Sequence, residues 1–130
     1  MRAPSSFDYA VVRVVPRVER GEFINAGVVL YCRTRDFLGA RVTLDRRRLA
    51  ALAPDADAGE IDRQLAALVA VCEGHAGAGP IAALPQSERF LWLAAPRSTV
   101  IQSSPVHSGL CAGSAEPAAV LDRLFQKMVG

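Results

Sequence analysis

The chain has 130 residues, 51% apolar and 22% charged, with a formal net charge of +2. That balance excludes wholly disordered, collagen-like and simple coiled-coil chains, and the length suffices for one self-supporting core that buries roughly two thirds of the unfolded surface. No run of about 18 uninterrupted apolar residues occurs, so no transmembrane helix is expected. Met1–Asp8 lacks the apolar stretch of a secretory signal, and the expected location is cytoplasmic.

The segment Phe7–Pro16 is rich in β-branched and aromatic residues and predicts a strand. Alternation sets Ala10, Val12 and Val14 on one face, the face a helical layer would bury. It sets Tyr9, Val11, Arg13, Val15 and Arg17 on the other, where Arg13 needs water or an anion. After Pro16, residues 17–22 are almost wholly charged and turn at Gly21. Ala26–Cys32 predicts a second strand, in which Gly27 signals a bulge or a close backbone approach. Arg33–Asp36 is a turn and Phe37–Leu44 a third strand, an antiparallel hairpin too tight for a crossover.

Asp45 is a suitable cap for a short helix over Arg46–Leu52, closed by Pro54. Around Asp57–Cys72, Ile61, Leu65, Leu68, Val69 and Cys72 recur at helical spacing. Gly74–Pro80 is a flexible break whose glycines lack the Gly-Lys-Ser/Thr of a phosphate loop. Gln86–Ala95 holds a short apolar run that periodicity does not resolve. It is expected to be partly irregular and to enter a strand over 98–103. Ser114–Val129 predicts a closing helix with Pro117 in its first turn. The expected architecture is therefore a single α+β domain over residues 1–130, with a mainly antiparallel sheet of three to four strands and about three helices.

Charge is unevenly spread. Residues 1–48 carry +5 and the remainder −3, and fourteen of the fifteen basic residues are arginine, whose planar fork suits carboxylate and phosphate. Cys32, Cys72 and Cys111 lie some 40 residues apart, without a metal-ligand spacing or a redox pair. They predict buried thiols. Neither a metal nor another cofactor is expected. The basic part lacks interleaved exposed aromatics for base stacking, which argues against nucleic acid as a partner.

Two polar constellations remain. Arg13, Arg17, Glu22 and Asn25, with Glu19 and Arg20, fit a grip on an anion or an acidic peptide, or else a lattice of surface ion pairs. The second constellation spans Ala95–Leu110 and gathers Arg97, Ser98, Thr99, Gln102, Ser103, Ser104, His107 and Ser108. It suits anion binding through hydroxyls and arginine, while local turn chemistry accounts for the same residue types. His107 is a weak candidate for a general acid or base, with Arg97 to stabilise negative charge. A nucleophilic arrangement would need one of Ser98, Ser103, Ser104, Ser108 or Cys111 and a carboxylate such as Asp8, Glu22 or Asp36, and nothing in the spacing selects among them.

Four stretches in order, YAVVRVVPRVER (9–20), EFINAGVVLYC (22–32), RFLWLAAPRSTVIQ (89–102) and PVHSGL (105–110), resemble a family of small bacterial proteins, domain of unknown function three-zero-three-seven. The resemblance marks Arg13, Arg17, Glu22, Asn25, Gly27, Arg97, Ser98 and His107 as motif positions and implies no role for them. Some members are encoded beside a kinase-like protein similar to HipA, which implies a kinase-like partner. The leading expectation is an accessory domain that binds a partner protein or a small anionic ligand through the Arg13/Arg17 strand and the Arg97–His107 segment. The alternative is a small enzyme using His107 and Arg97.

Overall fold

The fold was derived from a computed structural model that describes residues 3–97 and 99–130. Five antiparallel strands make one sheet: β1 (Ser5–Val14), β2 (Ile24–Cys32), β3 (Phe37–Val42), β4 (Ile101–Ser103) and β5 (His107–Cys111). The order is β3-β2-β1, with β4 and β5 sharing the far side of β1. β4 pairs with its Val12–Val14 end and β5 with Ser5–Tyr9. Among the described residues there are four α-helices: α1 (Arg46–Leu52), α2 (Ala58–Glu73), α3 (Gln86–Ala94) and α4 (Pro117–Met128).

The class is the expected antiparallel α+β, but the counts rise to five strands and four helices. The two additions lie in the part of the chain where local signals are weakest. Gln86–Ala94 is a regular helix rather than an irregular lead-in, because Phe90 and Leu93, three residues apart, bury against the sheet. The strand expected over 98–103 shrinks to Ile101–Ser103. The supposed loop beyond it is strand again from His107, although four of its five residues are at least partly exposed. Its pairing with β1 creates that strand. Between the two, Ser104 holds the ladder together: its N–H donates to the Val11 carbonyl at 2.8 Å, and its hydroxyl accepts the Val11 N–H at 2.8 Å. Ser104 is buried, so Ser104→Ala would leave a buried N–H without an acceptor. The expected cost is about 1–2 kcal/mol, read as a lower midpoint in urea denaturation.

Local chemistry places the first two helices where the sequence puts them. The Asp45 carboxylate accepts from the N–H groups of Arg47 and Arg48, and the Asp57 carboxylate accepts from that of Glu60. Gly74, in the left-handed region at φ 72°, closes α2. The chain then makes two short 3-10 turns, Ala76–Ala78 and Pro80–Ala83, where the sequence had suggested a flexible break. Two of the three arginines at the start of α1 are answered by carboxylates, Arg46 by Asp62 and Arg48 by Asp45.

Both faces of the sheet are covered. Val12, Val14, Ala26 and Val29 pack against Leu49 of α1, Ile61, Leu65 and Leu68 of α2, and Phe90 and Leu93 of α3. On the opposite face Phe7, Val28, Leu30 and Cys32 pack against Val120 and Leu121 of α4. This second layer corrects the expectation that only one face would be apolar: Val11 and Val15, on the supposed outer face, are 7% and 3% exposed. All three cysteines are buried and unpaired, and burial pushes the Cys72 thiol up to about 12. Among the described residues no helix is long and apolar enough to cross a membrane.

Candidate functional site

Arg13 and Asn25 meet because β2 carries an extra residue. The register runs Val12 opposite Gly27 but Arg13 opposite Asn25, leaving Ala26 unpaired in a bulge. With strict alternation from Val28, Asn25 would point toward α2. The bulge lets both Ala26 and Gly27 lie on that side and turns Asn25 to the α4 face, opposite Arg13. There the Asn25 amide donates to the Met128 carbonyl at 3.1 Å, at the end of α4. Arg13 lays its guanidinium over the half-exposed Phe23 ring, 4.2 Å from the centroid. Arg13 Nε and Asn25 Oδ1 are both buried and neither has a hydrogen-bond partner. A buried donor and a buried acceptor left open on adjoining strands are unusual, because such groups are nearly always satisfied.

From this polar end, the same face continues along β1 toward an aromatic row. Tyr9 stacks between Phe7, at 6.0 Å between centroids, and His107 of β5, at 5.4 Å. Tyr9 and Arg13 are four residues apart on one strand, a separation of about 13 Å. His107 and Arg13 thus share a face without converging. His107 is exposed, and among the described residues it makes no hydrogen bond to a hydroxyl or carboxylate. Ser104 is committed to the ladder, Ser103 donates to the Ala94 carbonyl, and Ser108 donates to Asp8 at 2.7 Å, away from the His107 ring.

The remaining expected residues are placed elsewhere. Arg17 does not continue the Arg13 face, because β1 ends at Val14 and Pro16 redirects the chain. Its guanidinium pairs with Asp55, in the α1–α2 loop, at 3.1 Å, and that hydrogen bond holds the Asp55 carboxyl below its ordinary value. Glu22 pairs with Arg20 at 2.5 Å on the exposed turn. Arg97 lies on the opposite side of the sheet from Arg13 and His107. It stacks on Trp92 at 4.1 Å, donates to the Trp92 carbonyl, and lines a groove with Leu68, Val71 and Ile101. Burial holds its guanidinium below the ordinary value. Ser98 lies outside the described residues. The expected single surface is therefore two surfaces, separated by the thickness of the sheet.

Sequence reasoning set Tyr9 on the Arg13 face and gathered Gln102 with the second constellation, but it missed Phe23 as a neighbour of the site. Gln102 pairs in register with Arg13 and donates to the Thr99 carbonyl at 2.8 Å. Phe23, an aromatic residue two positions before Asn25 in a charged turn, was the available signal. Among the described residues, no cluster of three or more histidine, cysteine or acidic side chains has metal-binding geometry.

The fold and this face define a small antiparallel α+β domain with a polar, arginine-centred end on one sheet surface. The chain belongs to a family described as "Protein of unknown function (DUF3037)", whose model matches residues 9–129. No curated protein matches the chain. No solved structure matches it either.

Proposed function

We propose that this is a binding domain whose recognition element is the Arg13 end of the α4 face, and that it takes an oxyanion carried by a partner protein or a small molecule. The observation that carries the reading is the open pair, Arg13 Nε and Asn25 Oδ1, both buried and carried by residues that pair across β1 and β2. A phosphate or carboxylate oxygen would accept from the guanidinium, and a neighbouring O–H or N–H would donate to Asn25. Phe23 fixes the plane of the arginine fork, so its geometry is set before the ligand arrives. The kinase-like protein encoded beside some family members is the first partner to try.

The direct test is calorimetric titration with inorganic phosphate and with succinate, using wild type and Arg13→Met. Arg13→Met keeps the aliphatic contact and removes the charge, and it is expected to weaken binding at least about tenfold while shifting the melting temperature by only a few degrees. Equal binding by both proteins, or none by wild type at millimolar ligand, would remove Arg13 as the recognition element. For the macromolecular arm, co-purification with the kinase-like protein should be lost in the same variant.

A further inference from the structure

Alongside the aromatic row lies a groove of about 300 Å³ between α4 and the edge strand β5, lined by Phe7, Leu110, Val120, Arg123, Leu124 and Lys127. Its lining is mostly apolar, with two cations and no carboxylate. Neither Arg123 nor Lys127 has an ion-pair partner among the described residues, whereas Asp122, beside them on α4, is taken by Arg41 at 2.7 Å. The other wall is a sheet edge. β5 pairs with β1 and, among the described residues, with no other strand.

Edges of this kind are usually blunted by lysine, proline or other charges. Over His107–Cys111 the chain has no lysine, arginine, acid or proline. Instead Leu110 is 76% exposed, and Val106, just before the strand, is 46% exposed. The Asp8 carboxylate, paired with Ser108 across β1 and β5, accepts from the Ser108 hydroxyl.

We infer that this edge and groove take an extended segment of a partner protein with acidic and apolar residues in alternation, added to the sheet beside β5. The segment's backbone would pair with the free edge of β5. Alternate apolar side chains would cover Leu110, which its pairing with Ser6 sets on the sheet face away from α4, and the carboxylates between them would meet Arg123 and Lys127 on the α4 side. The charge of the rim selects this occupant over a second copy. Two-fold pairing of β5 with itself would place both α4 helices on the same side of the joined sheet, each bringing the same two cations and no free acid.

The inference rests on the partner-binding reading but uses residues separate from Arg13. Its test is selection from a phage-displayed random dodecapeptide library on the full chain, followed by fluorescence anisotropy of the selected peptides. Selected sequences should carry apolar residues at alternate positions and a net negative charge. Their affinity should fall at least about tenfold in Leu110→Asp and in the Arg123→Glu/Lys127→Glu double variant. All substituted side chains are partly or fully exposed away from the core, and an unchanged circular dichroism spectrum confirms that the variants fold.

The inference is overturned if no peptide is selected, if the selected peptides lack net negative charge, or if their affinity survives both groove variants. It is also overturned if sedimentation shows a dimer that Leu110→Asp dissociates. Failure of selection with intact, Arg13-dependent anion binding would sink the groove alone. Loss of anion binding with successful selection would sink the Arg13 reading alone.

Discussion

Gly27→Ala is expected to destabilise the domain by about 3 kcal/mol, although it adds one methyl group at a fully buried position. A Cβ at residue 27 would run into the Arg41 carbonyl and would lie 2.7 Å from Val42 Cγ1 and 3.1 Å from Val42 Cα. Two of these obstacles are backbone of β3, which rotamer changes do not move. Relief requires shifting β3 away from β2, across a register of six residue pairs, or undoing the bulge at Ala26. The second route would also turn Asn25 away from Arg13, so stability and the recognition element fail together. Urea denaturation measures the first effect, and the phosphate titration measures the second. Gly77→Ala is the control: nothing lies within 4 Å of its added Cβ, and the midpoint should move little. A wild-type midpoint for Gly27→Ala would mean that β2 and β3 are not this close.

Arg35→Met is expected to cost a similar amount, about 3 kcal/mol, through a different mechanism. Arg35 sits in the 3-10 turn after β2 and donates to three carbonyls of the β5–α4 connection: Ala115 at 2.7 Å, Gly113 at 3.1 Å and Ala112 at 3.2 Å. The start of α4 has no side-chain cap of its own, since Glu116 makes no such bond. The guanidinium therefore fixes where the helix begins. Without it, three carbonyls lose a charge-assisted donor and α4 is held by Val120, Leu121 and Phe125 against the sheet. Arg35→Lys should recover less than half of the loss, because an ammonium does not span three acceptors in the planar fork's geometry. Amide exchange along α4 should accelerate in Arg35→Met more than along α2. Equal protection of the two helices would show that Arg35 does not anchor α4. Since α4 supplies both the groove wall and the Met128 carbonyl bound by Asn25, this anchor lies upstream of the whole face.

The elements legible in the sequence are those whose signals are local. Asp45 and Asp57 announce the helices they cap, the apolar stripe of α2 has the helical period, and Pro117 marks the first turn of α4. Gly27 correctly signals both a bulge and a close approach. The missed elements depend on partners distant in sequence. β5 has little apolar alternation, and it is a strand because β1 supplies its ladder from about 100 residues away. For α3, the apolar run Phe90–Leu93 fits helix or strand equally, and packing against Tyr31 and the sheet decides for helix.

The same division governs the candidate site. Sequence alone determined an antiparallel α+β chain, its Arg-rich first part, its three buried thiols and the motif residues Arg13, Asn25, Arg97 and His107. Tertiary structure decided which of these share a surface. Arg17 left the Arg13 face because β1 stops before Pro16. Asn25 joined that face because one bulged residue reverses the side to which a strand's side chains point. Arg97 and His107, only ten residues apart, came to opposite sides of the sheet because the chain between them enters it at Ile101 and leaves the 97 end packed under α3. Side-chain direction in a strand alternates with every residue, so where each strand begins, ends and bulges decides the site, and pairing across the sheet sets those points.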